Sequence, residues 1–200
     1  MRQLLILVIL LFSTSCSQKK TPIKGETEFQ IKMNSEFKDA SKSPLKPEDL
    51  KSFDGLDFFD FDEEYKVMAQ LERTPDAPWF QMKTTTERLS KERVFGIASF
   101  SIGDREFQLN IYQGEENMNT EGLEDYLFLP FLDLTNGEST YGGGRYINLR
   151  IPEGATIEID FNSAYNPLCV YNEKYSCPIV PRTNFMDTEI RAGVKMFNKK

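Results

Sequence analysis

The sequence predicts a mainly β domain, an antiparallel β-sandwich or partly closed β-barrel with one short helix near its start. Three observations predict it. Downstream of residue 65, apolar and polar residues alternate with a period of two, the spacing of half-buried strands. Short Gly- and Pro-bearing turn signals separate at least six such runs, and a clear helical period occurs only between residues 26 and 40. Strands joined by short turns pack as a sandwich or barrel, not as alternating α/β layers.

The chain opens with the three parts of an export signal in residues 1–15. Arg2 gives the positive start, residues 4–12 are continuously apolar, and Ser13-Thr14-Ser15 forms a small-residue cleavage zone before Cys16. Roughly 20 apolar residues are needed to span a bilayer, so this run addresses the chain and does not stay as a transmembrane helix. Cys16 is the expected lipidation site, although Ser13 stands where a leucine-like residue is usual. An ordinary signal peptide with a chance cysteine is the alternative. Ser17 follows Cys16 in place of Asp, and Gln18-Lys19-Lys20 is not an acidic tract. The expected location is therefore the bacterial cell envelope, on an outer membrane facing the periplasm, with the membrane as partner through the acyl chains.

Residues 16–25 read as a polar tether, and residues 26–200 as a single β-rich domain. Phe29, Met33 and Phe37 fall four apart on one helical face, a docking stripe. Pro44 and Pro47 then break the chain, and Pro47 is placed to start a turn of helix through Leu50. Tyr65, Val67, Ala69 and Leu71 alternate as the first strand. Residues 94–102 and 107–111 flank Gly103-Asp104, which predicts a tight hairpin. Ile147, Leu149 and Ile151 alternate up to Pro152-Glu153-Gly154, and Ile157, Ile159 and Phe161 alternate back, which predicts a second hairpin. Residues 126–131 form a dense apolar run, expected as a strand buried on both faces. Residues 188–197 are expected as a last strand.

Charge and composition exclude several functions. Cleavage after Ser15 removes one of 24 basic residues and leaves all 31 acidic ones, a formal side-chain charge of −8. Such a domain repels phosphate backbones, so nucleic acid is not an expected partner. The chain contains no histidine, which removes the commonest general base and the standard Ser-His and Cys-His nucleophile systems. Ser43-Pro44-Leu45-Lys46 has serine–lysine spacing, but Ser17-Gln18-Lys19-Lys20 repeats it by chance inside the tether. No cofactor is expected.

With Cys16 acylated, Cys169 and Cys177 remain. A disulfide between them suits an oxidising compartment; two free thiols are the alternative, and a zinc site lacks further ligands. Residues 140–146 hold Tyr141, Gly142, Gly143, Gly144 and Arg145. Three glycines can turn their N–H groups toward an anion while Arg145 grips a carboxylate or phosphate. A tight chain crossing, with Arg145 paired to an internal carboxylate, explains the same residues. Asp133, Asp160, Asn162, Tyr165 and Asn166 lie at strand ends and turns nearby in the expected topology, and with Arg145 they make a candidate ligand-binding cluster. Tyr141, Tyr146, Tyr165, Tyr171 and Tyr175 crowd this region, as packing or as a surface for a sugar or peptide.

At these residues the chain resembles a known family. Phe128-Leu129-Pro130-Phe131, Asp133-Leu134-Thr135-Asn136-Gly137, residues 140–146, Asp160-Phe161-Asn162 and Ala164-Tyr165-Asn166-Pro167 resemble the bacterial family called domain of unknown function 1684. Cys169, Tyr171, Tyr175-Ser176-Cys177-Pro178 and Ile190-Arg191-Ala192-Gly193 fit it too, as do Phe53-Asp54-Gly55-Leu56-Asp57-Phe58-Phe59 and Thr84-Thr85-Thr86 upstream. The resemblance covers about residues 26–197. Residues 181–185 depart from the more proline-rich, Glu-Asn containing segment of the family. It implies a compact, mainly β domain, in many relatives behind a lipoprotein-type signal, and brings no reaction, substrate or cofactor.

Two functional expectations follow. The first is a lipid-anchored binding or structural module that takes a small anionic, sugar or peptide ligand. The second is a small-molecule hydrolase, with Arg145 and the glycine N–H groups holding an anion and Asp133 or Asp160 as base.

Overall fold

The structure is a computed structural model and describes residues 24–197. The signal segment, Cys16 and most of the tether lie outside the described residues. The body is one curled antiparallel sheet, a half-barrel, of seven strands. These are β1 (Lys66–Arg73), β2 (Phe80–Lys83), β3 (Leu89–Ile102), β4 (Arg105–Gly114), β5 (Tyr126–Phe131), β6 (Arg145–Arg150) and β7 (Thr156–Asp160). The order is β6-β5-β4-β3-β1-β7, with β2 pairing β3 beside β1.

Helix α1 (Glu28–Lys38) is capped by the Thr27 side chain, which accepts from the Gln30 N–H, and Pro47 starts α2 (Pro47–Ser52). A short α3 (Glu115–Met118) follows β4. The docking stripe of α1 is real: Phe37 is buried edge-on against Tyr171, and Phe29 packs edge-on against Phe58. Among the described residues no helix is long and apolar enough to cross a membrane.

The β3–β4 hairpin forms as expected, with Ile102 opposite Arg105 and Gly103 at a φ of +55°. The second expected hairpin does not form. β6 pairs with β5 and β7 pairs with β1, so the two runs lie at opposite ends of the sheet order. Their alternation defined them as strands, but period two carries no information on partners. The sheet curls far enough for the loop of residues 151–155 to join its ends, and that loop is held by Leu71 N–H donating to Ala155 O at 2.8 Å.

The expected last strand is also absent among the described residues. Ile190, Ala192 and Val194 are buried at alternate positions, which produced the signal, but the segment threads between loops and does not join a ladder. Gly193, at a φ of +74°, turns it under Ala164, whose carbonyl would stand 2.5 Å from a Cβ.

The sheet is apolar on both faces. Leu127, Leu129 and Phe131 of β5 point with Ile147 and Leu149 of β6 into the main core, which Val67, Ala69, Ile157 and Ile159 complete. Phe128 and Tyr146 point the other way, into a second cluster with Met82, Tyr112 and Val180. β5 is thus buried on both faces, as its composition requires. This second face, partly roofed by α1 and residues 165–180, carries the site described next.

Candidate functional site

The expected polar cluster divides into separate structural knots. Arg145 is fully buried, and its Nη2 lies 2.9 Å from Asp133 Oδ2, itself sealed from solvent. The guanidinium also donates to the Ala192 carbonyl and, at 2.7 Å, to the Ile190 carbonyl. Asp133 Oδ1 accepts from Thr135 N–H at 2.8 Å and Ile190 N–H at 3.2 Å. Burial lowers the Arg145 pKa, opposed by the Asp133 charge. Asp160 stands apart, accepting from the backbone and side-chain amides of Asn162, each at 2.9 Å. Asn162 in turn donates to Asp62 O and accepts from its N–H. Asn166 is buried and donates to the Lys195 carbonyl at 3.1 Å.

The glycines serve the chain crossing. A Cβ on Gly144, whose φ is +88°, would meet Phe131 O at 2.5 Å, and one on Gly143 would meet the Tyr141 ring at 2.5 Å. The expected open pocket of Asp133, Arg145 and Asp160 does not form, because the guanidinium is sealed in the core: its Nη atoms are spent on one carboxylate and two carbonyls, and its Nε, without a partner among the described residues, is out of reach of solvent. The hydrolase reading therefore has no accessible constellation.

Of that cluster, Tyr165 alone reaches the main groove, a cavity of about 540 Å³ between α1 and the second face of the sheet. Period two places Tyr126 and Phe128 on its wall from β5, and Tyr146 and Asn148 from β6, with Phe128 opposite Asn148 in the ladder. Phe29, Met33 and Phe37 of α1 form the opposite wall. Phe128 and Tyr146 meet edge-on with centroids 4.7 Å apart, and Tyr146 and Tyr165 edge-on at 5.9 Å.

Glu92 of β3 is the unusual member. It is 5% exposed, and its Oε1 accepts from Ser90 Oγ at 2.7 Å, while among the described residues its Oε2 finds no hydrogen-bond partner. Its ladder partner is Gly114, where a Cβ would stand 3.0 Å from Oε1, so the missing side chain makes room for the carboxylate. Burial raises the Glu92 pKa, offset in part by the Ser90 bond and the Arg88 charge. The phenols of Tyr126, Tyr146 and Tyr165 are also shifted up by burial and so keep their protons.

Cys169 and Cys177 are free thiols, the first half-buried and the second buried on the groove wall. Cys169 N–H donates to Cys177 Sγ at 3.2 Å. The Cys177 thiol bond pulls Cys169 down to about 6, with help from the Thr85 hydroxyl and against its burial. Cys177 is pushed up correspondingly. No cluster of groups suited to a metal occurs among the described residues.

Glu92, Tyr126 and Asn148 escaped the sequence reading. Glu92 lies within Lys91-Glu92-Arg93, which reads as a solvated strand end, and Asn148 sits at the polar parity of β6. The available signal was Phe128 itself, at the opposite parity to Leu127, Leu129 and Phe131, since an aromatic residue on a second face implies that this face is covered.

Fold and groove together define the class as a mainly β domain, a curled antiparallel half-barrel with an aromatic groove on its second face. Residues 51–195 match the model of the family "Protein of unknown function (DUF1684)", and the chain belongs to that family. It is similar to an uncharacterised protein of Haloarcula marismortui known from its solution NMR structure: identity is 32%, 80% of this chain and 85% of that chain are covered, and the TM-score is 0.62. No curated protein matches the chain.

Proposed function

We propose that this protein is a lipid-anchored module of the bacterial cell envelope that binds a small ligand in the groove between α1 and the sheet. One observation carries the binding part. A carboxylate oxygen with no partner among the described residues, on a residue 95% buried by the 5% exposure of Glu92, sits beside an aromatic groove. Leaving such a group unsatisfied costs roughly 1–3 kcal/mol or more, so one that borders an open groove calls for a partner from outside the chain. Four stretches that carry the family resemblance supply Phe128, Tyr146, Tyr165, Cys177 and Pro178 to this groove.

The anchoring part rests on residues 1–16: an apolar run too short to span, small residues, then cysteine. Several acyl chains hold a protein to a bilayer against salt. The test has two readings. Membrane fractions should retain the wild-type chain in high salt and release Cys16→Ser, and a soluble unmodified wild-type chain would overturn the anchor. A panel of small metabolites scored by thermal shift should contain stabilisers whose effect is lost in Tyr126→Ala; stabilisers unaffected by that change would place binding elsewhere.

A further inference from the structure

This inference rests on the binding reading of the groove and names the class of ligand. The hydroxyl protons on the inner wall are already spent. Tyr126 donates to Asn148 Oδ1 at 2.7 Å, Tyr165 donates to the same oxygen, Tyr146 donates to the Pro178 carbonyl, and Ser90 donates to Glu92. Apart from the Asn148 Nδ2 amide, what the wall beside Glu92 still offers is lone pairs: those of the phenols, and Glu92 Oε2. A ligand that brings acceptors finds few donors here, whereas a ligand that brings N–H donors finds acceptors already aimed.

Charge and ring faces point the same way. Arg88, the cation nearest Glu92 in effect, is committed to Ser176, donating from Nε to its hydroxyl at 3.1 Å and from Nη2 to its carbonyl at 3.1 Å. Glu36 and Glu116 also border the groove, so its three carboxylates outnumber the two cations Lys32 and Arg88. Aromatic faces attract cations through the ring quadrupole, most strongly where water is excluded. A carboxylate with a spare oxygen at the edge of an aromatic wall is the arrangement that an organic cation completes.

We propose that the groove binds an organic ammonium, a protonated amine on an apolar or aromatic body, with the N–H groups on Glu92 Oε2 and the body against Tyr126 and Phe128.

The experiment titrates the full chain in mild detergent, at a single pH, with three probes of one shape: benzylammonium, benzyl alcohol and benzoate. Contacts are read as NMR cross-relaxation between probe protons and the rings of Tyr126 and Phe128. Benzylammonium should show these contacts and bind about ten-fold tighter than the alcohol, the effect of one charge-assisted hydrogen bond. Benzoate should bind weakest, and Glu92→Gln should remove the ammonium preference while the ring contacts of the alcohol persist. The wild-type contacts keep the test meaningful if the variant fails to fold. If the alcohol or benzoate binds as tightly with the same ring contacts, the ammonium assignment falls and the groove reading stands. If none of the three touches those rings, both fall.

Discussion

Arg145 Nη2 and Asp133 Oδ2 meet at 2.9 Å in a part of the core where neither side chain touches water. The pair ties β6 to the loop after β5, and through the carbonyls of Ile190 and Ala192 it also holds the C-terminal segment against the half-barrel. A guanidinium here does the work of a strand ladder, since residues 190–192 join none.

Removing one partner strands the other charge in the core. Asp133→Ala and Arg145→Ala should each lower unfolding free energy by about 3–5 kcal/mol. The double change Asp133→Leu/Arg145→Met should cost clearly less than the two single changes added together. Urea unfolding of the three variants measures this, and strict additivity would show that the charges do not interact.

Asn184 occupies a comparable place between β4 and β5. These strands pair only at Tyr112 and Phe128 before diverging, and Asn184 fills the gap, accepting from Asn110 N–H at 3.0 Å and donating to Asn110 O at 2.8 Å and Pro130 O at 2.7 Å. Asn184→Ala leaves three backbone groups, the N–H and carbonyl of half-buried Asn110 and the buried Pro130 carbonyl, without that partner. A loss of about 3 kcal/mol is expected, with hydrogen exchange at Asn110 accelerating; unchanged protection there would show that the strands close without the wedge.

Strand identity was legible because burial on one face writes period two into the residues: Val67, Ala69 and Leu71, or Ile157 and Ile159, could be read directly. Pairing was not legible. Nothing local distinguishes a five-residue turn from a five-residue bridge across the mouth of a curled sheet, so β6 and β7 looked like a hairpin. The site was hidden for a related reason. Arg145 and the glycines look functional by residue type, yet the core consumes them, while Glu92 looks ordinary until α1 and the 165–180 segment cover it. Tyr165 bridges the two descriptions, since its backbone pairs with Tyr146 while its ring enters the groove.

The buried carboxyl makes stability depend on pH with a definite sign. Native Glu92 holds its proton to higher pH than the unfolded chain does, chiefly through burial, with Ser90 and Arg88 opposing and Glu116 adding to the shift; Lys32 and Glu36 of α1 border the same groove. Its contribution is therefore complete below the ordinary carboxylate range and declines as pH rises through the native value. Glu92→Gln should melt higher than wild type at neutral pH, with the difference shrinking toward zero in acid. A constant difference across that range would show that Glu92 does not titrate abnormally.

The thiols give the last prediction. The Cys177 thiol bond lowers Cys169 to about 6 while Cys177 is raised, so Cys169 should carry the thiolate at neutral pH. Iodoacetamide at pH 7 should alkylate Cys169 first, because the thiolate is the nucleophile. Oxidised glutathione should take the pair further. The Cys169 thiolate attacks the glutathione disulfide and expels one glutathione thiolate; Cys177 then loses its proton, attacks the mixed disulfide and expels the second. Two cysteine thiols are oxidised, one glutathione disulfide is reduced, and the Cys169–Cys177 bond closes. A loop this short should add about 2–3 kcal/mol of stability in the chain-entropy model. Intact mass under non-reducing conditions should show the loss of two hydrogens, and melting should fall on adding reductant. Equal alkylation of both thiols, with only glutathione adducts after oxidation, would mean that the sulfurs do not meet in solution, and Cys177 would then have no means of setting the reactivity of Cys169.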